Sequence, residues 1–255
     1  MENVKVGAAR PAAPESRSVS WNQSQAWAKR TLDIVVAGAG LLGSMPLWVV
    51  IALAIKWDDG GPMFFRDRRV GQGGRVFGVL KFRTMVPDAD KLYGPKQAEE
   101  DDPRVTRVGR LLRATAMDEL PQLWNIFVGD MSFVGPRALM PGEIENRSPR
   151  SNVESPEFKV QGPKSGVESL ELGLDNPGRV VRLEEIAGYR ERHSICPGLT
   201  GLAQIYAARD ISRRHKFKYD LLYIRNQSFW LDLKLIALSF WITFRGTWES
   251  REKKF

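Results

Sequence analysis

Hydrophobic and polar positions are distributed unevenly along this chain. Residues 1–20 carry Ala, Pro and scattered Ser without an apolar period, and a flexible tail is predicted over 1–26. The pattern then reverses. From Leu32 to Ile55 every position is uncharged except Asp33 at the edge. This run is roughly 24 residues, enough to cross about 30 Å of hydrocarbon as a helix. Pro46 follows Gly43 and Ser44 near its middle. Proline removes a helix donor and clashes with the preceding turn, so a membrane helix over 27–57 with a break near Pro46 is predicted. Lys29 and Arg30 precede the run; Lys56, Arg66, Arg68, Arg69, Arg75 and Lys81 follow it. Basic flanks favour the cytoplasmic side, and here both flanks are basic. Two readings stand: a helix that enters one leaflet and returns, or a kinked spanning helix.

Beyond the run, Asp58-Asp-Gly-Gly-Pro62 predicts a turn, and Met63 to Val70 and Arg75 to Arg83 predict two short strands around Gly71-Gln-Gly-Gly74. Those glycines match no phosphate-loop fingerprint and read as a plain turn. Helices are predicted over Pro87–Tyr93 and Val105–Ala114. Residues 145–185, rich in Ser, Pro and Gly, read as an insertion, and Cys196-Pro-Gly-Leu-Thr-Gly201 as a further turn. Residues 210–245 have helical patterning. Phe229 to Ile242 is apolar nearly all round, broken by Asp232 and Lys234, which suits either burial at a membrane interface or a core helix. Residues 247–255 form a basic tail. The predicted class is α+β: a small membrane-associated catalytic domain over 58–246, with an N-terminal re-entrant helix, a β-hairpin and amphipathic interfacial helices.

Composition narrows the chemistry. The net charge of +8 favours anionic partners: nucleic acid, anionic lipid or phosphorylated substrates. A single cysteine, Cys196, excludes an internal disulfide, and two histidines with no Cys/His cluster argue against zinc. The most informative segment is Thr115 to Arg137. Adjacent carboxylates Asp118 and Glu119 precede a Leu-Pro step, and an apolar run leads to Gly135-Pro-Arg137. Such a carboxylate is a candidate nucleophile or metal ligand, and an arginine on a rigid turn is a candidate phosphate holder. Lys81-Phe-Arg83 and Arg209-Asp210 repeat the association of basic residues with turns. The competing reading is a membrane-anchored basic scaffold or nucleic-acid-binding protein. No nucleic-acid motif supports it, and aromatic residues are not interleaved with basic ones.

From Lys29 to Gly246 the chain resembles the bacterial sugar transferases, the monotopic phosphoglycosyl transferases. The resemblance is carried by Lys29-Arg-x-x-Asp33, Asp59-Gly-Gly-Pro-x-Phe-Phe-Arg66, Arg69-Val-Gly71, Lys81-Phe-Arg-Thr-Met85 and Asp118-Glu-Leu-Pro-Gln-Leu-x-Asn125. It continues through Gly129-Asp-Met-Ser-x-Val-Gly-Pro-Arg137, Pro197-Gly-Leu-Thr-Gly-Leu-Ala-Gln204 and Tyr219-Asp-Leu-Leu-Tyr-Ile224. It implies transfer of a sugar 1-phosphate from a UDP-sugar to polyprenyl phosphate, with release of UMP. Asp118 is then the nucleophile and a Mg²⁺ ligand, and Glu119 assists the metal or the acceptor phosphate. Lys81, Arg83, Pro136, Arg137 and Arg209 line the phosphate and substrate site. The resemblance also implies the re-entrant helix, on the cytoplasmic face of a bacterial inner membrane, with no nucleic-acid partner; a homodimer is left open. The family's break falls at a Ser-Pro pair, whereas here Met45 precedes Pro46 and Ser44 stands one place earlier. The pattern before Arg209 is one residue longer than in the family.

Overall fold

The computed structural model describes residues 23–87, 89, 102–145, 181–207 and 211–245. Residues 146–180 of the predicted 145–185 insertion, most of the predicted 87–93 helix, Arg209, residues 1–22 of the N-terminal tail and the C-terminal tail lie outside these residues, while 23–26, predicted as tail, are helical.

Helix α1 runs from Gln23 to Asp59 as one element with Pro46 inside it. The interruption expected at Pro46 therefore does not divide the helix. Ser44 does not satisfy the carbonyl freed by the proline. Its hydroxyl accepts the Trp48 indole N–H at 3.0 Å and reaches back to the Leu41 carbonyl at 3.4 Å. Strands β1 (Phe64–Val70) and β2 (Val76–Phe82) pair antiparallel from Phe64↔Phe82 to Val70↔Val76. The tip is the predicted glycine turn, with Gly73 and Gly74 at positive φ. Helix α2 (Arg107–Ala114) is capped by the Thr106 hydroxyl, which accepts from Gly109 N at 3.0 Å. A 3₁₀ turn, Met117–Glu119, then leads through Pro121 into α3 (Gln122–Val128).

Strand β3 (Ser132–Val134) pairs parallel with β6 (Gly198–Thr200), in the register Ser132↔Gly198 and Val134↔Thr200. Between them, β4 (Ile144–Glu145) and β5 (Val181–Arg182) form a short antiparallel ladder at the two ends of the 146–180 excursion. The one-turn helix α4 (Tyr189–Arg192) follows, and after β6 comes α5 (Leu202–Tyr206). The C-terminal helical stretch is two elements, α6 (Arg213–Asn226) and α7 (Phe229–Phe244). They are divided at Gln227-Ser228, where the Ser228 hydroxyl caps α7 by accepting from Leu231 N.

The main core joins Ala37 of α1, Phe77 and Val79 of β2, Leu123 and Ile126 of α3, Phe133 and Val134 of β3, Tyr223 of α6 and Leu235 of α7. A second cluster packs Ile51 and Ile55 of α1 on Phe82 and Leu112, with Trp48 edge-on to Phe64 and Phe82. Leu120, in the loop after the 3₁₀ turn, packs on both clusters. Helix α7 is two-faced: Asp232 and Leu235 are buried, while Trp230, Phe240 and Trp241 are exposed. A core role accounts for only one side of it.

The Lys29-Arg-x-x-Asp33 motif docks the base of α1. Lys29 and Asp33 are four residues apart and share a helix face. The Lys29 ammonium pairs with Asp232 and donates to the Val134 carbonyl at 3.0 Å and to the Tyr223 hydroxyl at 3.2 Å. The Asp33 carboxylate accepts the Phe133 amide at 3.1 Å. The Arg30 guanidinium donates to the last carbonyls of α3, Ile126 O at 2.7 Å and Phe127 O at 2.8 Å. At the other end, Asp59 pairs with Arg83 and the Asp58 carboxylate accepts Val108 N at 3.1 Å. Both ends of α1 are thus tied to one domain.

Candidate active site

Asp118 and Glu119 reach their position through three local devices. The first is the placement of α2. A Cβ on Gly109 would lie 2.0 Å from the Thr84 carbonyl oxygen, so the absence of a side chain lets α2 press onto the backbone that continues β2. The second is a sharp reversal. Ala116 adopts φ 54°, the one non-glycine positive φ among the described residues. That conformation is strained for a residue with a Cβ, and such outliers concentrate at functional turns. The third is Asn125 of α3, which binds the free edge of β2: its Oδ1 accepts Leu80 N and its Nδ2 donates to Gly78 O, each at 2.9 Å. The 3₁₀ turn is thereby held against the strand that carries Lys81.

Asp118 does not cap the helix that follows. The N-cap of α3 is Pro121, and no side chain caps it. Its carboxyl is instead poised by its surroundings. Burial, and next the neighbouring Glu119 charge, raise its pKa to about 6, while Lys81 and Arg113 oppose the rise. Lys81 Nζ stands 3.3 Å from Glu119 Oε1. Arg113 is fixed by donating Nε–H to the Thr84 hydroxyl at 2.9 Å. Burial lowers the Arg113 pKa, and the Asp118 charge acts against that. The structure thus gathers Asp118, Glu119, Lys81 and Arg113. Sequence reasoning missed Arg113. It stands in an Arg-rich helix where three arginines look alike, and only its place in the last turn, five residues before Asp118, marks it out.

The remaining candidates are placed otherwise. Arg83 is buried, forks onto the Asp59 carboxylate, and donates to the Pro62 carbonyl and to the Met85 carbonyl at 2.9 Å. Its donors hold the C-terminal end of α1 to the strand, rather than standing open to a phosphate as the sequence reading had it. Pro136 is buried in the turn before Arg137, and Arg137 is exposed. This turn abuts the glycine turn at β6 so closely that a Cβ on Gly198 would lie 2.0 Å from Gly135 N. Arg137 is not among the charges that act on Asp118. Ser44 and Pro46 lie in α1, away from this cluster in sequence and in contacts.

The acidic pair is a chemically suitable seat for Mg²⁺. That ion takes hard oxygen ligands and is commonly held by one or two carboxylates, the rest of its shell coming from phosphate and water. Among the described residues no group of three or more His, Cys, Asp or Glu gathers, so a dedicated all-protein cage is absent from them.

Comparison with known proteins bears on the same residues. The family model described as bacterial sugar transferase matches residues 24–170 and 176–246. The undecaprenyl-phosphate glucose phosphotransferase of Komagataeibacter xylinus is 37% identical over 218 residues, covering 83% of this chain and 35% of that protein. The UDP-N-acetylgalactosamine-undecaprenyl-phosphate N-acetylgalactosaminephosphotransferase of Aeromonas hydrophila is 34% identical over 214 residues, 83% of this chain and 42% of its own length. The exopolysaccharide production protein ExoY of Rhizobium meliloti (strain 1021) is 34% identical over 223 residues, 82% of each chain. The chain therefore spans well under half the length of the first two and most of the third. With a family match over nearly the whole described chain, and the acidic pair, basic residues and paired glycine turns in place, this protein belongs to the bacterial sugar transferase family.

Proposed function

We propose that the protein transfers a sugar 1-phosphate from a UDP-sugar to undecaprenyl phosphate or a related polyprenyl phosphate, releasing UMP. The observation that carries this reading is the half-buried Asp118 carboxyl beside Glu119, Lys81 and Arg113. A carboxylate with a pKa near 6 is largely ionised at neutral pH, so it needs no base to become a nucleophile. Partial burial also strips it of water. One Asp118 oxygen attacks the β-phosphorus of the donor, the bond from that phosphorus to the UMP oxygen breaks, and UMP leaves with the electron pair. A phosphate oxygen of the polyprenyl acceptor then attacks the same phosphorus and returns the carboxylate. Arg113 and Lys81 offset the charge that gathers as two anions meet.

Asp118 and Glu119 would hold Mg²⁺. When bound, the ion supplies neutralisation of the diphosphate charge and polarisation at phosphorus. Glu119, paired with Lys81, keeps that lysine directed at the site.

The membrane placement we propose is a re-entrant α1 with the catalytic domain on the cytoplasmic face of the inner membrane. Helix α1 is long and apolar enough to cross a membrane by length and composition, and only 11% of its apolar window is buried. A straight crossing would part Lys29, Arg30 and Asp33 from Asp232, the α3 carbonyls and the Phe133 amide, or Asp58 and Asp59 from Val108 and Arg83. Keeping both sets requires both ends on one side.

The test uses purified full-length protein in lipid nanodiscs and a panel of UDP-sugars, because the relatives are named for different sugars. UMP release is expected with one donor. Rapidly quenched protein incubated with that donor and no acceptor should carry a phosphosugar on the peptide containing Asp118. Brisk turnover with no adduct, together with activity retained in Asp118→Asn, would defeat the covalent mechanism.

A further inference from the structure

Arg192 is a buried arginine outside the Asp118 cluster. It ends α4, a helix of one turn, and is 2% exposed. Its carboxylate partner, Asp220 of α6, is 4% exposed and accepts from Nε at 3.0 Å, with Nη2 of the same guanidinium 3.0 Å away in the ion pair. The guanidinium lies over the Phe217 ring, 4.6 Å from its centroid. Its Nη2 also donates to the main-chain carbonyl of Arg137 at 2.7 Å. Burying an ion pair rarely adds stability over an apolar substitute. Here the buried cation spends one donor on the main chain of the Gly135-Pro-Arg137 turn.

The same helix face meets that loop again. Arg213, Phe217 and Asp220 recur at helical spacing on α6. Arg213 pairs with Glu143, whose other carboxylate oxygen accepts Met140 N at 3.2 Å. From the opposite side, Gly135 N donates to the Thr200 carbonyl at 3.0 Å and Gly198 N to the Pro136 carbonyl at 2.9 Å. The main chain from Gly135 to Met140 is thus fixed from both sides, while the Arg137 side chain is exposed and makes no bond or ion pair among the described residues. A rigid backbone carrying an unengaged guanidinium is the arrangement that presents a charge at low reorganisation cost.

We propose that Arg192, held by Asp220, is a positioning residue that sets the Arg137 guanidinium to receive the diphosphate of the nucleotide substrate. This rests on the transferase reading for the identity of the anion. The planar fork of arginine serves Asp220 and the Arg137 carbonyl together; a lysine at 192 keeps the buried charge but has a single nitrogen to share between them.

A double-mutant cycle on UDP binding, in the full-length protein with Mg²⁺ in the buffer, separates positioning from plain structural support. Arg192→Lys is expected to weaken UDP binding about tenfold with Arg137 present, and by no more than about twofold in the Arg137→Ala background. Equal losses in the two backgrounds, or UDP binding indifferent to Arg137→Ala, would overturn the proposal. Thermal unfolding reports whether Arg192→Lys folds. If it does not, Glu143→Gln loosens the same loop from its half-buried end and goes through the same cycle; a loss of about threefold confined to the Arg137 background supports the brace, and an equal loss in both rejects it. UMP release is followed in parallel. Coupled UDP binding without UMP release from any UDP-sugar would remove the transferase reading and leave the brace standing.

Discussion

Asp118 combines a functional and a structural consequence in one carboxyl. Its folded pKa, about 6, lies above the ordinary 3.8. The folded state therefore binds its proton more tightly than the unfolded chain, so this group's contribution to stability falls as pH rises from about 4 to about 6. Above that window the ionised carboxylate opposes folding. Asp118→Asn should abolish UMP release and yet raise stability at pH 8 by about 2 kcal/mol, a figure reduced for the group's partial exposure. The gain should vanish near pH 4. Thermal denaturation of both proteins across that range checks it, and a variant less stable than wild type at pH 8 would contradict the burial argument. In the wild type, UMP release should decline tenfold per pH unit well below pH 6, if the Asp118 carboxylate attacks as proposed, because it then protonates. Ala116 offers a second test at this scale. Ala116→Gly relieves a left-handed conformation and should add about 1 kcal/mol to stability. Reduced UMP release in that variant would mark the strain as part of how Asp118 is presented.

Among the elements, α1 decides most. Its lower end is a polar socket in which Lys29 meets Asp232, Tyr223 and a β3 carbonyl. Lys29→Met leaves Asp232, 1% exposed, without its cation, and should cost about 3–5 kcal/mol. Lys29→Met with Asp232→Asn should recover much of that loss, since the buried charge goes with its partner. Chemical denaturation of the single and double variants in detergent reads the difference; a double variant no better than the single would mean that Lys29 acts through its other two acceptors. The hairpin, α2 and the turn at 71–74 were legible in sequence because each depends on residues a few places apart, the glycine cluster between two short strands above all. The single helix across Pro46 was not. A proline lowers local helix propensity, but Trp48 on Phe64 and Phe82, and Ile51 and Ile55 on Phe82 and Leu112, hold the following turns in place. Tertiary packing keeps the turns after the proline helical, which a bend at Pro46 allows.

For the molecule as a whole, sidedness and the metal are the measurable questions. In a Cys196→Ser background, cysteines at Gln25 and Glu184 should be labelled from the same side of sealed vesicles, because both ends of α1 dock on one domain. Labelling from opposite sides would require α1 to cross. Chelation should stop UMP release and added Mg²⁺ restore it; full turnover in excess EDTA would leave Lys81 and Arg113 to balance the diphosphate without help.

The sequence by itself determined the apolar run, the β-hairpin, the acidic pair and the family, since these are written in contiguous patterns and in ordered motifs. It also marked Lys81 and Arg137 as candidate cations. The three-dimensional fold alone decided what each charge does. Arg83 is consumed by Asp59, Arg113 is fixed by Thr84 with its charge acting on Asp118, Arg192 grips the Arg137 carbonyl, and Lys29 spans to Asp232. The physical reason is separation along the chain. A helix cap or a turn involves partners within four residues, whereas Lys29 and Asp232 are 203 residues apart and Arg192 and Arg137 are 55 apart. No local pattern encodes which of many arginines finds a carboxylate, and which is left exposed to meet a substrate, until burial has selected the partners.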